Sequence, residues 1–405
     1  MRKIKRIFTA DTKMLTLGLG AAVWLAAGYC QAAANTTPPE THSDRPVEGG
    51  IEPFLGKPRF DVQRVFWGIR MPNIVVTTEG TVLATWGLRR GYRVRRSEDG
   101  GKTWGEKIRV ADGGHAGGVT VDETNGNIFV FVQSGGLPTE KPQTSIGKYK
   151  VYRSTNDGKT WKHVKIKIRP DKNGYVPAMH MAEHGITLRH GKHKGRLLRP
   201  ARVYNANRGY NTSIYSDDGG TIWHSSSPFP EIGTGEGSIA ELSDGTIYYN
   251  SRRHWAPKGK NAKRRWEAWS HDGGETWQDA AINETLPDGC QNNDYGAMGG
   301  LTRLPVKGKD ILIFGNIIDD GKPRNNGYVW ASFDGARTWP VKRQVDPDRF
   351  AYSSIAAGCP GTPSEGWIYV MYENGPGAKV ARFNLTWLIQ GELTGDGEIP
   401  SWLDD

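Results

Sequence analysis

The pattern Ser-x-Asp-x-Gly-x-Thr-Trp runs five times through this chain. The copies are SEDGGKTW (97–104), STNDGKTW (154–161), SDDGGTIW (216–223), SHDGGETW (270–277) and SFDGARTW (332–339), with Asn156, Ile222 and Ala336 as lapses. Their starts lie 57, 62, 54 and 62 residues apart. Punctuation at that period marks an array of supersecondary units. Each copy is a tight turn by composition. A short side-chain acceptor and a glycine satisfy the backbone locally, and the tryptophan packs as the chain re-enters a strand. Runs such as YKVYRS, NTSIYS, RWEAWS and GYVWAS lead into the turns and read as strands.

A second series counts the units better. Turns centred on Gly80, Gly126, Gly195, Gly245, Gly308 and Gly366 each precede a run of β-formers, as in TTEGTVLATW and LSDGTIYYNS. Six such units, five followed by the Ser-x-Asp hairpin, predict six four-stranded blades. Helical periodicity of any length is absent between 60 and 380. The expected fold class is all-β, a six-bladed β-propeller whose closure into a ring shields its strand edges. The expected division is a signal peptide over 1–34, a flexible Pro-rich lead-in over 35–58, the propeller over 59–390 and a tail over 391–405. Whether that tail caps the ring or frays is open.

The N-terminus reads as an export signal. Arg2, Lys3, Lys5 and Arg6 precede the apolar stretch 14–28, and the small residues of QAAAN suit cleavage after Ala34. A secreted or periplasmic location is expected. Tyr29 is bulky where lipoprotein processing at Cys30 needs a small residue, which disfavours an anchored form. No other segment is apolar enough to span a membrane. The net charge of +10 falls to about +6 once residues 1–34 are removed. The basic residues are spread along the chain without a recognition-helix pattern, so an acidic glycan is the expected partner and nucleic acid is not. A monomer is expected. Cys290 and Cys359 stay in the mature chain with their pairing open. No metal-site spacing occurs and no cofactor is expected.

The turn motif is the Asp-box (BNR) repeat, and the chain resembles the bacterial sialidases (neuraminidases) from IRMPNIVVTTEGTVLA (69–84) to ARFNLTWL (381–388). The Asp-box is a structural turn shared by propellers of unrelated roles, so function has to be read from the blade centres. Arg70 in Ile-Arg-Met-Pro resembles the family's first arginine, Arg252 in YYNSRRH the second and Arg324 in PRNNGYVWASFDG the third. Glu236 in GTGEGSIAELSDG resembles the buried glutamate, Tyr352 in AYSSI the nucleophile, and Glu373 in VMYENG the acid that braces the first arginine.

This resemblance implies an exo-α-sialidase type of glycoside hydrolase that releases terminal sialic acid or a related ulosonic acid. Such sugars carry a carboxylate on the anomeric carbon, and planar guanidinium forks from three blades suit it better than ammonium groups would. That same carboxylate disfavours an anionic nucleophile. A neutral tyrosine with a glutamate base beside it meets the need and gives a retaining reaction through a glycosyl–tyrosine intermediate.

The resemblance breaks in one place. The family's acid/base aspartate belongs in a loop of the first blade, where this chain reads LATWGLRRGYRVRRSEDGG. The strands TVLATW and YRVRRS are present, but GLRRG, which joins them, has no acidic residue. Arg89 or Arg90 can stand in for the loop's substrate-binding arginine, yet a guanidinium is no general acid. His115 in GGHAGG is the first choice as a replacement, since histidine titrates in the working range. His180, His184 and Asp294 are weaker choices. Two other readings stay open: a propeller glycosidase or lyase acting on another anionic polysaccharide, and a sialoglycan-binding propeller without catalysis.

Overall fold

Each of the six turn glycines sits in the left-handed region, at φ between 66° and 91°, where a side chain would be strained. Each joins the first strand of a sheet to the second. In the computed structural model, described over residues 46–68, 70–88, 91–112, 117–133, 141–147, 149–178, 183–206, 208–254, 263–288, 296–318 and 324–403, these turns generate six small antiparallel sheets. Residues 42–405 form one compact unit.

The sheets are the blades of a propeller. Blade I holds Asn73–Val76, Val82–Leu88, Gly91–Ser97 and Ile108–Ala111, and blade II holds Thr120–Val121, Ile128–Gln133, Tyr149–Ser154 and Lys162–Val164. Blade III runs Ile186–Thr187, Leu197–Val203, Tyr210–Ser216 and Ile222–Ser225, with Lys167–Arg169 added in parallel on the outside. Blade IV holds Gly237–Glu241, Ile247–Ser251, Arg264–Ser270 and Gln278–Pro287. Blade V runs Gly300–Arg303, Leu312–Ile317, Asn325–Ser332 and Val341–Arg349, extended by Glu392–Leu393 from the C-terminal tail.

Blade VI closes the ring. Its first three strands, Ser353–Ala357, Ile368–Asn374 and Gly377–Phe383, come from the end of the chain, and its outermost strand, Phe60–Trp67, comes from the beginning. The two ends pair antiparallel from Phe60↔Phe383 to Trp67↔Gly377. The all-β, six-bladed fold expected from the repeat is thus the observed one.

The apolar core is divided into six clusters, each shared by two neighbouring blades. Val75, Leu83 and Val94 of blade I meet Val121, Ile128 and Val130 of blade II, for example, and Ile74, Val82 and Ala84 meet Tyr369, Met371 and Val380 across the closure. Both faces of a blade are therefore buried, which explains the near-continuous apolar runs of the second strands.

The Asp-box tryptophans follow the same logic. Trp104, Trp161, Trp223, Trp277 and Trp339 each join the cluster between their own blade and the preceding one. Blade VI lacks the box, and the helix Leu385–Ile389 takes its place. Asn384 caps that helix by accepting from the Trp387 N–H at 3.2 Å, and Trp387 fills the blade V–VI cluster.

Residues 46–58, within the stretch read as a flexible lead-in, pack on the ring. Gly49 donates to the Pro305 carbonyl at 2.8 Å, and Phe54 is buried. In the tail, Asp396 accepts from Thr285 at 2.6 Å and from the Trp339 N–H at 3.0 Å, and Leu403 is buried in the blade V–VI cluster. Cys359 Sγ lies 3.7 Å from the Thr78 carbonyl oxygen, and Cys290 lies outside the described residues.

Candidate active site

Every first strand runs in the same direction along the ring axis, so residues just before first strands, just after second strands and just before third strands share one end of the ring. Arg70, Glu236 and Tyr352 precede first strands, Arg252 follows a second strand, Glu373 lies near the end of one, and Arg324 precedes a third strand. The topology thus brings together six residues that span more than 300 positions of sequence.

Tyr352 is at the centre of the group. Its hydroxyl donates to Glu236 Oε1 at 3.0 Å, and Glu236 Oε2 accepts from Arg252 Nη1 at 2.8 Å. The guanidinium carbons of Arg70 and Arg324 lie 5.2 Å and 4.8 Å from the centre of the Tyr352 ring. Glu373 Oε1 accepts from Arg70 Nε at 3.2 Å and from the Met71 N–H at 3.0 Å. Tyr352, Glu236 and Arg252 are almost fully buried, whereas the Arg70 side chain keeps 41% of its exposure and marks the mouth. Met71 (φ 63°) and Arg324 (φ 54°) hold left-handed backbone conformations uncommon for such residues. Strain of that kind persists only where packing enforces it, and it gathers at sites that must hold a geometry.

Four further residues complete the cluster. Arg202 Nη1 and His254 Nδ1 lie 3.9 Å and 3.8 Å from Glu236 Oε1. Asp288 accepts from Arg265 at 2.9 Å and stands 3.9 Å from Arg252 Nε. None of the four has a motif of its own, but a repeat signal could have found Arg202. It lies seven residues after its turn glycine, Gly195, as Arg252 follows Gly245 and Glu373 follows Gly366.

Among the described residues the site is short of negative charge. Five guanidinium groups (Arg70, Arg202, Arg252, Arg265, Arg324) face three carboxylates (Glu236, Asp288, Glu373). Arg252 Nε and Nη2 are buried donors without a hydrogen-bond partner, a costly condition that an incoming carboxylate would relieve. Burial alone would raise the Glu236 carboxyl, but Arg252 and Arg202 outweigh it and hold the group well below the usual carboxylate range. Burial and the Glu236 charge push the Tyr352 phenol above its ordinary value despite the arginines. The pair at rest is therefore a neutral phenol donating to a carboxylate. His254 is brought down to about 3 by burial and by Arg252, so it is neutral. Burial pushes Asp288 up to about 6 against the pull of Arg265 and Arg252.

Other candidates fall elsewhere. His184 bonds Glu183 Oε1 through Nδ1 at 2.8 Å, and Glu183 also binds the Ser354 hydroxyl across the axis. His184 faces a cavity of about 160 Å³ at the other end of the first strands, lined also by Glu123, Arg189 and Glu241. There Glu123 holds the Arg189 side chain and Glu241 its backbone N–H. Arg89, Arg90, His115, His180 and Asp294 lie outside the described residues. The strands beside Arg89 and Arg90 are informative nonetheless. Leu88 pairs directly with Gly91, so the paired strand ends stand only two residues apart in sequence.

Comparison with known proteins bears on the family and the fold. The model of the BNR repeat-like domain matches residues 90–362. A sialidase of Micromonospora viridifaciens is 31% identical over 390 residues, covering 88% of this chain and 58% of that protein. A sialidase of Bacteroides fragilis is 27% identical over 330 residues, covering 71% and 57%. This chain thus spans somewhat less than three fifths of the length of these relatives. Among solved structures, the Hadza microbial sialidase Hz136 superposes with a TM-score of 0.64 at 22% identity over 79% of this chain and 66% of that one.

Proposed function

The chain belongs to the BNR-repeat sialidase family, and from that premise we propose that it is an exported exo-α-sialidase-type glycoside hydrolase. It removes terminal sialic acid, or a related ulosonic acid, from glycans with retention of configuration. The observation that carries this reading is the Tyr352–Glu236 hydrogen bond set against the unpartnered donors of Arg252. A protein that only bound an acidic sugar would need the arginines but not a phenol aimed from a buried carboxylate.

The substrate carboxylate docks on Arg252, Arg324 and Arg70, with Glu373 holding Arg70 in place. Docking has a second effect. The new negative charge offsets the cations that depress Glu236, so its carboxyl becomes more basic as the complex forms. Tyr352 Oη then attacks the anomeric carbon, the phenolic proton passes to Glu236, and the bond to the aglycone oxygen breaks. In the second step water attacks the anomeric carbon of the glycosyl–tyrosine ketal, its proton passing to the group that protonates the aglycone, and the bond to Tyr352 breaks as the phenolate recovers its proton from Glu236.

The aglycone oxygen needs a proton unless it leaves easily. The stretch GLRRG (87–91) carries no acidic residue, and His115 is the proposed donor. This favours substrates with good leaving groups over unactivated glycosides. The test is hydrolysis of an aryl sialoside by the purified chain, followed by proton NMR. The α-anomer should appear first, and turnover should drop about 10³-fold in Tyr352→Phe. His115→Ala should spare the aryl substrate and abolish turnover of sialyllactose. No turnover of any ulosonide, or first release of the β-anomer, would overturn the proposal.

A further inference from the structure

The outer edge of blades II and III carries a run of charge that the active site does not use. Residues 150–172 include eight Lys or Arg and only two acids, Asp157 and Asp171. Both acids are committed elsewhere. Asp157 accepts from Thr77 and Thr81 at 2.6 Å and from Arg96 at 2.7 Å. Asp171 is buried and accepts from Tyr210 at 2.6 Å and from the N–H groups of Asn173 and Tyr175. Lys150, Lys162, Lys165, Lys167, Arg169 and Lys172 are exposed, and no ion pair to any of them occurs among the described residues.

The backbone fixes these cations in a line. Lys162–Val164 is the outer strand of blade II, and two residues later Lys167–Arg169 pairs in parallel with Ile222–Ser225 as the outermost strand of blade III. Along this edge Val164, Ile166 and Ile168 turn into the core between the two blades. Lys165, Lys167 and Arg169 therefore point outward on one face, about 6.6 Å apart by strand geometry. Lys167–Arg169 lies four strands out from the first strand of its own blade, a separation of about 19 Å. A polymer held here leaves the mouth open.

We propose that this ribbon is a docking surface for a linear anionic polysaccharide, separate from the cleavage site. The charge spacing selects that class. Duplex DNA presents one charge per about 1.7 Å of axis, far denser than the ribbon, whereas a polyuronate or polysialic chain with one charge per sugar matches it more nearly. The ribbon offers no groove-reading helix and only one row of cations.

The proposal does not depend on the glycosidase reading, because retention on polysaccharide and turnover of a small aryl sialoside are measured separately. The probes are polygalacturonate and polysialic acid, with dextran as the neutral control and duplex DNA and phosphatidylserine vesicles as competing anions. At low salt the wild type should bind both polyanions and not dextran, with affinity falling steeply as salt rises. In Lys165→Glu/Lys167→Glu/Arg169→Glu the affinity should fall at least ten-fold, with unfolding temperature and aryl-sialoside kinetics unchanged. If that variant fails to fold, Lys165→Gln/Lys167→Gln should still lower the affinity several-fold and flatten the salt slope by about two. Wild-type affinity that ignores salt, variants that bind like the wild type, or tighter binding to DNA or vesicles than to polysaccharide would each overturn it.

Discussion

Tyr352 and Glu236 are both buried and hydrogen-bonded to each other, yet their removal should have different consequences. Tyr352→Phe deletes one hydroxyl and leaves Glu236 paired with Arg252, so the fold should lose only about 1–2 kcal/mol. Glu236→Gln removes a countercharge of Arg252 and Arg202, both almost wholly buried, and should cost about 3–5 kcal/mol of stability. Both variants should lose most activity, the first by about 10³-fold and the second by about 10²–10⁴-fold. Denaturant unfolding beside aryl-sialoside kinetics checks this. Equal stability losses would mean that the carboxylate does not hold the arginine cluster together. The six motif-borne residues of the cluster were legible because each sits beside a repeat element. Arg202 carried only its spacing from Gly195 as a signal, and His254, Arg265 and Asp288 carried none, since they join the site only when the second, third and fourth strands of blade IV bring their ends together.

At the scale of the element, the Asp-box works as a local acceptor trap. In the first box Asp99 accepts from the N–H groups of Lys102 and Thr103 at 3.0 Å and 2.9 Å and from the Thr103 hydroxyl at 2.6 Å. Its slight burial acts to raise the carboxyl, but these bonds bring it down to about 2, from 3.8. Asp218 and Asp272 are lowered for the same reasons. A depressed carboxyl stabilises the fold above its unfolded value and loses that contribution as pH falls through the folded one. The unfolding temperature should thus drop between about pH 4 and pH 2, and Asp99→Asn, which mimics the natural Asn156, should make that slope shallower. An unchanged slope would show that the Asp99 turn persists in the unfolded chain. The box was fully legible in sequence because its bonds run within five residues. The added outer strands Lys167–Arg169 and Glu392–Leu393 were not, because a strand that joins a neighbouring blade leaves no periodic mark distinguishing it from a linker.

The whole molecule depends on one seam. Each blade shares its core with both neighbours, so opening the ring anywhere exposes two apolar faces at once, and unfolding should be a single transition despite six sheets. The seam is the pairing of Phe60–Trp67 with Gly377–Phe383, backed by Val65 and Phe66 in the blade VI–I cluster. Its existence followed from the count of repeats, since six units with free edges would not be soluble. Its location did not, because FDVQRVFW carries none of the turn signals that flag other strands. A chain lacking residues 1–45 keeps the seam and should retain the wild-type urea midpoint. A chain lacking residues 1–67 loses the seam, the Phe54 contact, the bond that Asn384 accepts from the Arg59 N–H and the one it donates to the Leu55 carbonyl. It presents Gly377–Phe383 as a bare edge strand, which should drive it to aggregate. Tryptophan fluorescence and gel filtration distinguish the cases. If the shorter chain stays monomeric and unfolds at the same midpoint, the ring is held by its blade interfaces alone and the N-terminal strand is an ornament of blade VI rather than its clasp.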